Sequence, residues 1–372
     1  MKEGPIDLLV PELFANSGGV QRYSIALLEA LHQIRPNQLL RVFIRNDHPH
    51  HLPTSGWHGI EWYPCKGSST ALALALLRAA RRQGPELLFS THPNLAPLQW
   101  LHHRITGAPS WCSAHGIDVW TLRPGPKKWA LGGLQRLLPV SRFTAERLTI
   151  QLGKNCPPLA LLPNSFDPAR FSPGPRPEHL LKRYALQADQ PVILTLSRLS
   201  TNDKYKGINK LIQALPDLLL QWPDLKLVIA GDGNNRCNLE NLAQKLGVAA
   251  SVVFTGKISD DEIVDHMRLA STFAMPSSKE GFGIVFLEAL GCGLPVLAGN
   301  RDGSVDPLAD GHYGLLVDPQ LPLAPALQSL LAGQGKKLWF QPEALATAVS
   351  HQFGKATITR RLEHQLASLE AR

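Results

Sequence analysis

Ser271-Thr272-Phe273-Ala274-Met275-Pro276-Ser277-Ser278-Lys279-Glu280-Gly281-Phe282-Gly283-Ile284-Val285-Phe286-Leu287-Glu288-Ala289-Leu290-Gly291-Cys292 reads as a strand, a loop and a helix. The first residues form a short apolar run closed by proline and serines, as a buried strand does. The residues from Ile284 onward are long enough and apolar enough for a buried helix. Gly281-Phe282-Gly283 supplies the turn between them. Two carboxylates, Glu280 on the loop and Glu288 near the second helical turn, stand eight positions apart. Both are expected at the edge where strand ends and helix begins, which is the ligand position of open α/β sheets. The first N–H groups of a helix have no partner inside it and hold anions. Hydroxyls for the carboxylates and phosphates for the amides describe a nucleotide-sugar. A plainer reading stands beside this one, since Gly-x-Gly turns are common at such junctions and many glutamates cap helices or face solvent.

Outward from this unit, the chain alternates short apolar runs with amphipathic segments, which predicts βα units and mainly parallel sheets. In the first half, strands are expected at Ile6–Val10, Leu40–Ile44, Glu86–Ser90, Ser110–Ser113 and Leu137–Val140, with helices starting near Val20, Ser69, Lys127 and Thr144. A stretch with four prolines, Pro168 to Pro177, reads as a linker. A second series follows, with strands at Pro191–Leu196, Leu225–Ala230, Val252–Phe254 and Pro295–Ala298. Helices are expected at Gly207–Gln221, Asn238–Leu246 and Asp260–Ala270, and the tail from Pro342 reads as helix, amphipathic over 353–370. The predicted fold class is α/β with two Rossmann-like domains facing across a cleft. The domains are expected at 1–170 and 191–352, with a linker at 171–190 and a final helix at 353–372.

The 372 residues exceed a typical single core. Hydrophobic residues make up 44% and charged residues 18%, and no apolar run approaches the ~18 residues of a spanning helix. Met1-Lys2-Glu3 leads straight into an apolar strand, so no signal peptide is expected. Cysteines 65, 112, 156, 237 and 292 are odd in number and form no CxxC pair, which suits a reduced, cytoplasmic setting without structural zinc. Residues 1–170 carry 18 Lys+Arg against 10 Asp+Glu, whereas 171–372 carry 20 of each, so the net charge of +8 belongs to the first half. A basic half suits an anionic membrane surface or an acidic acceptor, and equally a solvated surface. No nucleic-acid-binding module accompanies it. The helix starting at Lys127-Lys128-Trp129 and running to Leu138 has two readings, one lying on an anionic membrane and one packed before a core strand.

Four further constellations bear on chemistry. Arg198 and Tyr205-Lys206-Gly207 flank the carboxyl end of the strand 191–196, where two cations can stabilise a departing diphosphate without a metal. No Asp-x-Asp pair occurs to clamp a divalent ion. Gly231 ends the strand 225–230 as a tight turn, and Ile258 lies where backbone can meet a flat base. Gly18-Gly19, after the first strand, permits positive φ and close approach of a ligand, or simply a turn. His115 follows the strand at 110–113, with Asp118 and Trp120 close behind. The histidine is read as a substrate contact or a structural residue, and the tryptophan as a sugar platform or packing.

Together and in order, these elements resemble the retaining glycosyltransferases of family 4, which have the GT-B fold. The resemblance runs from Gly18-Gly19-Val20 through His115-Gly116, Val140-Ser141-Arg142-Phe143-Thr144-Ala145, Pro163-Asn164, Ser197-Arg198-Leu199, Tyr205-Lys206-Gly207 and Gly231-Asp232-Gly233. It ends with the Glu280/Glu288 motif and Gly314-Leu315-Leu316-Val317-Asp318-Pro319, and so covers nearly the whole chain. It implies that the C-terminal domain binds a UDP- or GDP-linked sugar as donor substrate, with no other cofactor, that the N-terminal domain holds the acceptor, and that the final helix at 353–372 crosses back to the N-terminal domain. Arg198 and Lys206 would neutralise the leaving diphosphate. Glu280 would bind the transferred sugar and Glu288 the ribose. The backbone from Gly281 through Phe282, Gly283 and Ile284 to Val285 would hold sugar and phosphates, with Gly231 and Ile258 on the donor side. Gly18-Gly19 would close over the diphosphate, and His115 would contact the sugar near the reacting carbon. Asp118 and Trp120 are the candidate acceptor contacts. The implied activity is metal-independent, retaining hexosyl transfer to a glycan, lipid-linked or small-molecule acceptor, in the cytoplasm or peripherally at the inner membrane face. The rival readings are a nucleotide-sugar epimerase, a sugar phosphorylase and a non-catalytic two-lobed binding protein. Three segments depart from the family pattern: Ser165 replaces a turn glycine, the stretch between Arg198 and Lys206 is long, and Asn300-Arg301-Asp302-Gly303-Ser304-Val305-Asp306 replaces glycines and a glutamate.

Overall fold

The computed structural model describes residues 4–16 and 18–370. Residues 1–3, on which the leader expectation rests, lie outside the described residues, as do Ser17 of the Gly18-Gly19 turn and residues 371–372. The chain forms two compact units, residues 1–165 with 355–372, and residues 166–354.

The first unit contains β1 (Ile6–Val10), α1 (Gly19–Ile34), β2 (Leu40–Ile44), β3 (Ile60–Pro64), α2 (Ser69–Arg82), β4 (Leu87–Ser90), α3 (Ala96–Thr106), β5 (Ser110–Ala114), α4 (Ile117–Trp120), α5 (Pro126–Gly132), β6 (Arg136–Pro139) and α6 (Arg142–Leu152). The second contains α7 (Glu178–Arg183), β7 (Val192–Leu196), α8 (Ile208–Leu219), β8 (Lys226–Ala230), α9 (Arg236–Lys245), β9 (Val252–Gly256), α10 (Ile263–Leu269), β10 (Thr272–Met275), α11 (Ile284–Gly291), β11 (Val296–Gly299), β12 (Leu315–Val317), α12 (Ala324–Leu331) and α13 (Pro342–Phe353). The last helix, α14 (Lys355–Glu370), returns to the first unit.

Each unit is built on a six-stranded parallel sheet. Their orders are β3-β2-β1-β4-β5-β6 and β12-β11-β10-β7-β8-β9, the same doubly wound order when each unit's strands are counted from its own first. Strands such as Ile-Asp-Leu-Leu-Val in β1 are buried along their whole length, as parallel strands covered on both faces must be. The one charge in β1, Asp7, sits beside Arg41 of β2 in the sheet register. Their side chains pair twice, at 2.6 and 2.9 Å, and Arg41 also donates to the carbonyls of Ala79 and Gln83 at the end of α2. In the second unit, Ile208, Leu211, Ile212, Leu215 and Leu218 of α8 repeat at helical spacing and enter a core with Leu227 and Ile229 of β8.

Several expectations need correction. The helix expected over 127–138 ends at Gly132, because Arg136–Pro139 are taken up as β6, paired with Trp111–Ala114. Residues 171–190, expected as a linker, include α7 and belong to the second unit. The tail is two helices, broken at Gly354. Strands β3 and β12 and helices α3 and α12 were not foreseen. Gly18 is extended (φ −171°) and Gly19 opens α1, so neither glycine uses positive φ.

Candidate active site

In both sheets the strand order reverses between the first and fourth strands, and loops leaving those strands flank the crevice where doubly wound sheets take ligands. In the second unit the pair is β7 and β10. Arg198 and Lys206 follow β7 and Glu280 follows β10, and the structure brings two of these three into contact. Lys206 Nζ lies 3.1 Å from Glu280 Oε2, with both side chains mostly covered. Arg198 instead extends into solvent, 83% exposed, with Nη2 3.4 Å from Asp203 Oδ2. The Tyr205 hydroxyl, between these groups, is pushed well above its ordinary pKa by burial and by the charges of Glu280 and Asp203. The Arg198 loop is tied to the turn after β8, because Leu199 N–H donates to the Asp232 carbonyl and Gly231 N–H to that of Gly256. Ile258, after β9, is half-buried.

Glu280 is held from behind by a residue that sequence reasoning passed over. Asp302 is 2% exposed, and its Oδ2 accepts from Glu280 N–H at 2.5 Å and from Ser277 Oγ at 2.9 Å. Its Oδ1 accepts from Ser304 N–H at 2.9 Å, and Gly303 N–H returns a bond to the Glu280 carbonyl at 2.8 Å. Burial pushes the Asp302 pKa up, while these hydrogen bonds pull it down. The two loops touch so closely that a Cβ on Gly303 would fall 2.1 Å from the Gly281 carbonyl oxygen. Gly283, the residue before α11, has φ +90°, and a Cβ there would meet the Phe286 ring at 2.4 Å. Only glycine fits either position. The backbone from Gly281 to Ile284 is therefore fixed at the start of an eight-residue helix. The Phe282 side chain packs edge-on to Phe353 with centroids 5.8 Å apart, and Val285 is half-buried. Glu288 sits in the second turn of α11 as expected, but it is 2% exposed rather than open to the edge.

In the first unit the corresponding edge carries His115, after β5. Its Nε2 is 2.6 Å from the Thr91 carbonyl, which can only accept, so Nε2 bears the proton and Nδ1 keeps its lone pair. Burial pushes its pKa down, and Tyr23 of α1 packs edge-on at 4.8 Å. Asp118 Oδ2 lies 3.5 Å from His115 N, and the Asp118 carbonyl accepts from Lys127 Nζ at 2.6 Å. A second histidine, His92, leaves β4 at the reversal point. Its ring is 5.8 Å from that of His115, its Nδ1 accepts from Asn94 N–H, and burial pushes its pKa to about 4. The available signal was Ser90-Thr91-His92, a short polar run between the apolar Leu87-Leu88-Phe89 and Pro93. Trp120 is half-buried, donates to Thr144 Oγ1 at 3.2 Å and meets Phe143 edge-on. The loop before Gly18 and Gly19 is held by buried Asp47, whose Oδ2 accepts from Phe14 N–H at 2.8 Å.

The family described as glycosyl transferases group 1 matches residues 178–341. A GDP-mannose-dependent alpha-(1-6)-phosphatidylinositol monomannoside mannosyltransferase from Mycolicibacterium smegmatis is 41% identical over 222 residues, 55% of this chain and 56% of the relative. The chain thus spans a little over half the length of that relative. A D-inositol 3-phosphate glycosyltransferase from Xylanimonas cellulosilytica is 28% identical over 340 residues, covering 82% of this chain and 78% of that protein. Among solved structures, sucrose-phosphate synthase from Thermosynechococcus elongatus superposes with a TM-score of 0.81 at 20% identity, over 99% of both chains. Anabaena HepE in complex with UDP gives 0.78 at 21% identity, over 98% of this chain and 100% of the other.

Proposed function

We propose that the chain is a group 1 glycosyltransferase of GT-B fold, a retaining, metal-independent hexosyltransferase whose donor is a nucleotide-diphospho-sugar, a reading that the family match and the similar relatives support. The observation that carries this reading is the Lys206–Glu280 pair, braced by Asp302 beside the first turn of α11. A hexosyl diphosphate brings hydroxyls for Glu280 and negative charge for Lys206, and exchange of the internal ion pair for those contacts limits its desolvation cost. The charge that grows on the departing diphosphate meets Lys206, the N–H groups that open α11, and Arg198, whose exposed side chain is free to swing inward. As the glycosidic bond breaks, the acceptor hydroxyl attacks the same face of the anomeric carbon. Its proton passes to an oxygen of the leaving phosphate, so no side-chain nucleophile is required. His115, neutral because it is buried, offers Nδ1 as an acceptor to a sugar hydroxyl, and the first unit holds the acceptor substrate.

The relatives' names put GDP-mannose first among donors, with inositol-bearing lipids or inositol phosphate first among acceptors. The test is a thermal-shift panel of GDP-mannose, UDP-glucose, GDP and UDP. A matching donor at a hundred times its Kd should add about 2.7 kcal/mol of stability. Glu280→Ala should keep the nucleotide's increment and lose the sugar's. No shift with any nucleotide-sugar, or an unaltered response in Glu280→Ala, would overturn the assignment. Release of nucleotide diphosphate only when acceptor is present separates transfer from epimerisation and phosphorolysis.

A further inference from the structure

Trp129 on α5 is 74% exposed, and it does not stand alone. On neighbouring α3, Trp100, Leu101 and Ile105 are 38%, 50% and 58% exposed, with Arg104 exposed among them. The two helices pack side by side, and the Trp100 indole lies so close to Gly133 that a Cβ there would come within 2.5 Å of it. A cavity of about 470 Å³ opens on this face, lined by Pro124, Lys128, Trp129, Gly132 and Leu152 among others. The stretch of sequence that carries this face is strongly basic. Between Glu86 and Glu146 the only carboxylate is Asp118, against Arg104, Arg123, Lys127, Lys128, Arg136 and Arg142.

From this juxtaposition we infer that the α3–α5 face is a docking surface for an anionic phospholipid membrane. Tryptophan is the side chain best suited to the headgroup level, with an apolar body and one N–H for the wet side. Cations beside it gain from the negative surface potential of acidic lipids. Among the described residues no helix is long and apolar enough to cross a membrane. A second copy docked by the same face would set these cations against one another, which argues against a symmetric dimer here. Lys127 of α5 reaches the Asp118 carbonyl beside His115, so docking face and histidine edge share one helix.

The inference does not rest on the transferase reading, because its readout is vesicle binding. The full chain is sedimented with vesicles of phosphatidylcholine alone or mixed with phosphatidylglycerol, at low and high salt. Wild type should pellet only with the mixed vesicles, and less as salt rises. Arg104→Glu with Lys128→Glu should weaken binding at least about tenfold, each cation near such a surface being worth roughly fivefold. Trp129→Ala should weaken it several-fold and Trp129→Phe less, with unchanged circular dichroism. Failure to pellet, equal binding to phosphatidylcholine alone, or indifference to all these variants overturns the proposal. So does a dimer in sedimentation equilibrium that Trp129→Ala dissolves, or capture of this face by a polyglutamate peptide in preference to the mixed vesicles.

Discussion

Asp302 shows how much of a site can hang on a residue that touches no substrate. Buried, it receives the Glu280 N–H, the Ser304 N–H and the Ser277 hydroxyl. Asp302→Ala leaves those donors without their acceptor, which should cost about 1–3 kcal/mol of stability. It also frees Glu280 to drift, and a misplacement near 1 Å lowers kcat/KM by roughly a hundredfold. Asp302→Asn, with one acceptor oxygen left, should fall between alanine and wild type. Urea unfolding and donor-dependent turnover check both effects, and an alanine variant indistinguishable from wild type would remove the brace from the argument. The sequence exposed Glu280 and Lys206 because each sits in a short run with glycine beside it, at a strand's end. It did not expose Asp302, which bonds to backbone 22 residues away, and hydrogen bonds of that kind leave no spacing to read. His92 was hidden for a related reason, since a single histidine after a strand gains meaning only when folding sets it 5.8 Å from His115.

Strands buried inside their sheets were the most legible elements. β1, β2, β4, β7 and β8 lie inside their sheets, and their sequences are near-continuous apolar runs. β3 is an edge strand, Ile-Glu-Trp-Tyr-Pro, half-buried at every position and ending in a proline that an edge tolerates. α3 has a proline as its second residue and carries two histidines, and α5 is cut short by Gly132-Gly133, so neither shows a long period. Between β1 and β2 the Asp7–Arg41 pair is the exception to apolar content, and it predicts an asymmetric mutational response. Arg41→Met alone should destabilise by about 3–5 kcal/mol, because Asp7 stays behind as an uncompensated buried charge. Asp7→Leu combined with Arg41→Met should recover most of that loss. Urea midpoints at constant m-value provide the measurement, and equal losses in single and double variants would show that packing, not charge, sets the cost.

At the scale of the whole chain, two successive series of βα units announced two sheets, and both sheets adopt the same order. What alternation could not show is that the chain leaves the first unit at 165 and returns to it at 355; that came only from the family resemblance. The return is energetically substantial. Ile358, Leu362 and Leu366 are buried along one face of α14, which packs on α1, and Lys355 pairs with Glu29 at 3.1 Å. Arg136, at the start of β6, donates to Gln365 Oε1 and Ser368 Oγ at 2.8 Å each. Three such side chains contribute roughly 5–9 kcal/mol, about as much as the net stability of an ordinary domain. Residues 1–165 alone should therefore lack a cooperative unfolding transition, despite containing a complete six-stranded sheet. Supplying residues 355–370 as a separate peptide should restore near-ultraviolet circular dichroism and a melting temperature that climbs with peptide concentration. A fragment that melts cooperatively at the same temperature with and without the peptide would make α14 a cover, and the sheet of the first unit sufficient by itself.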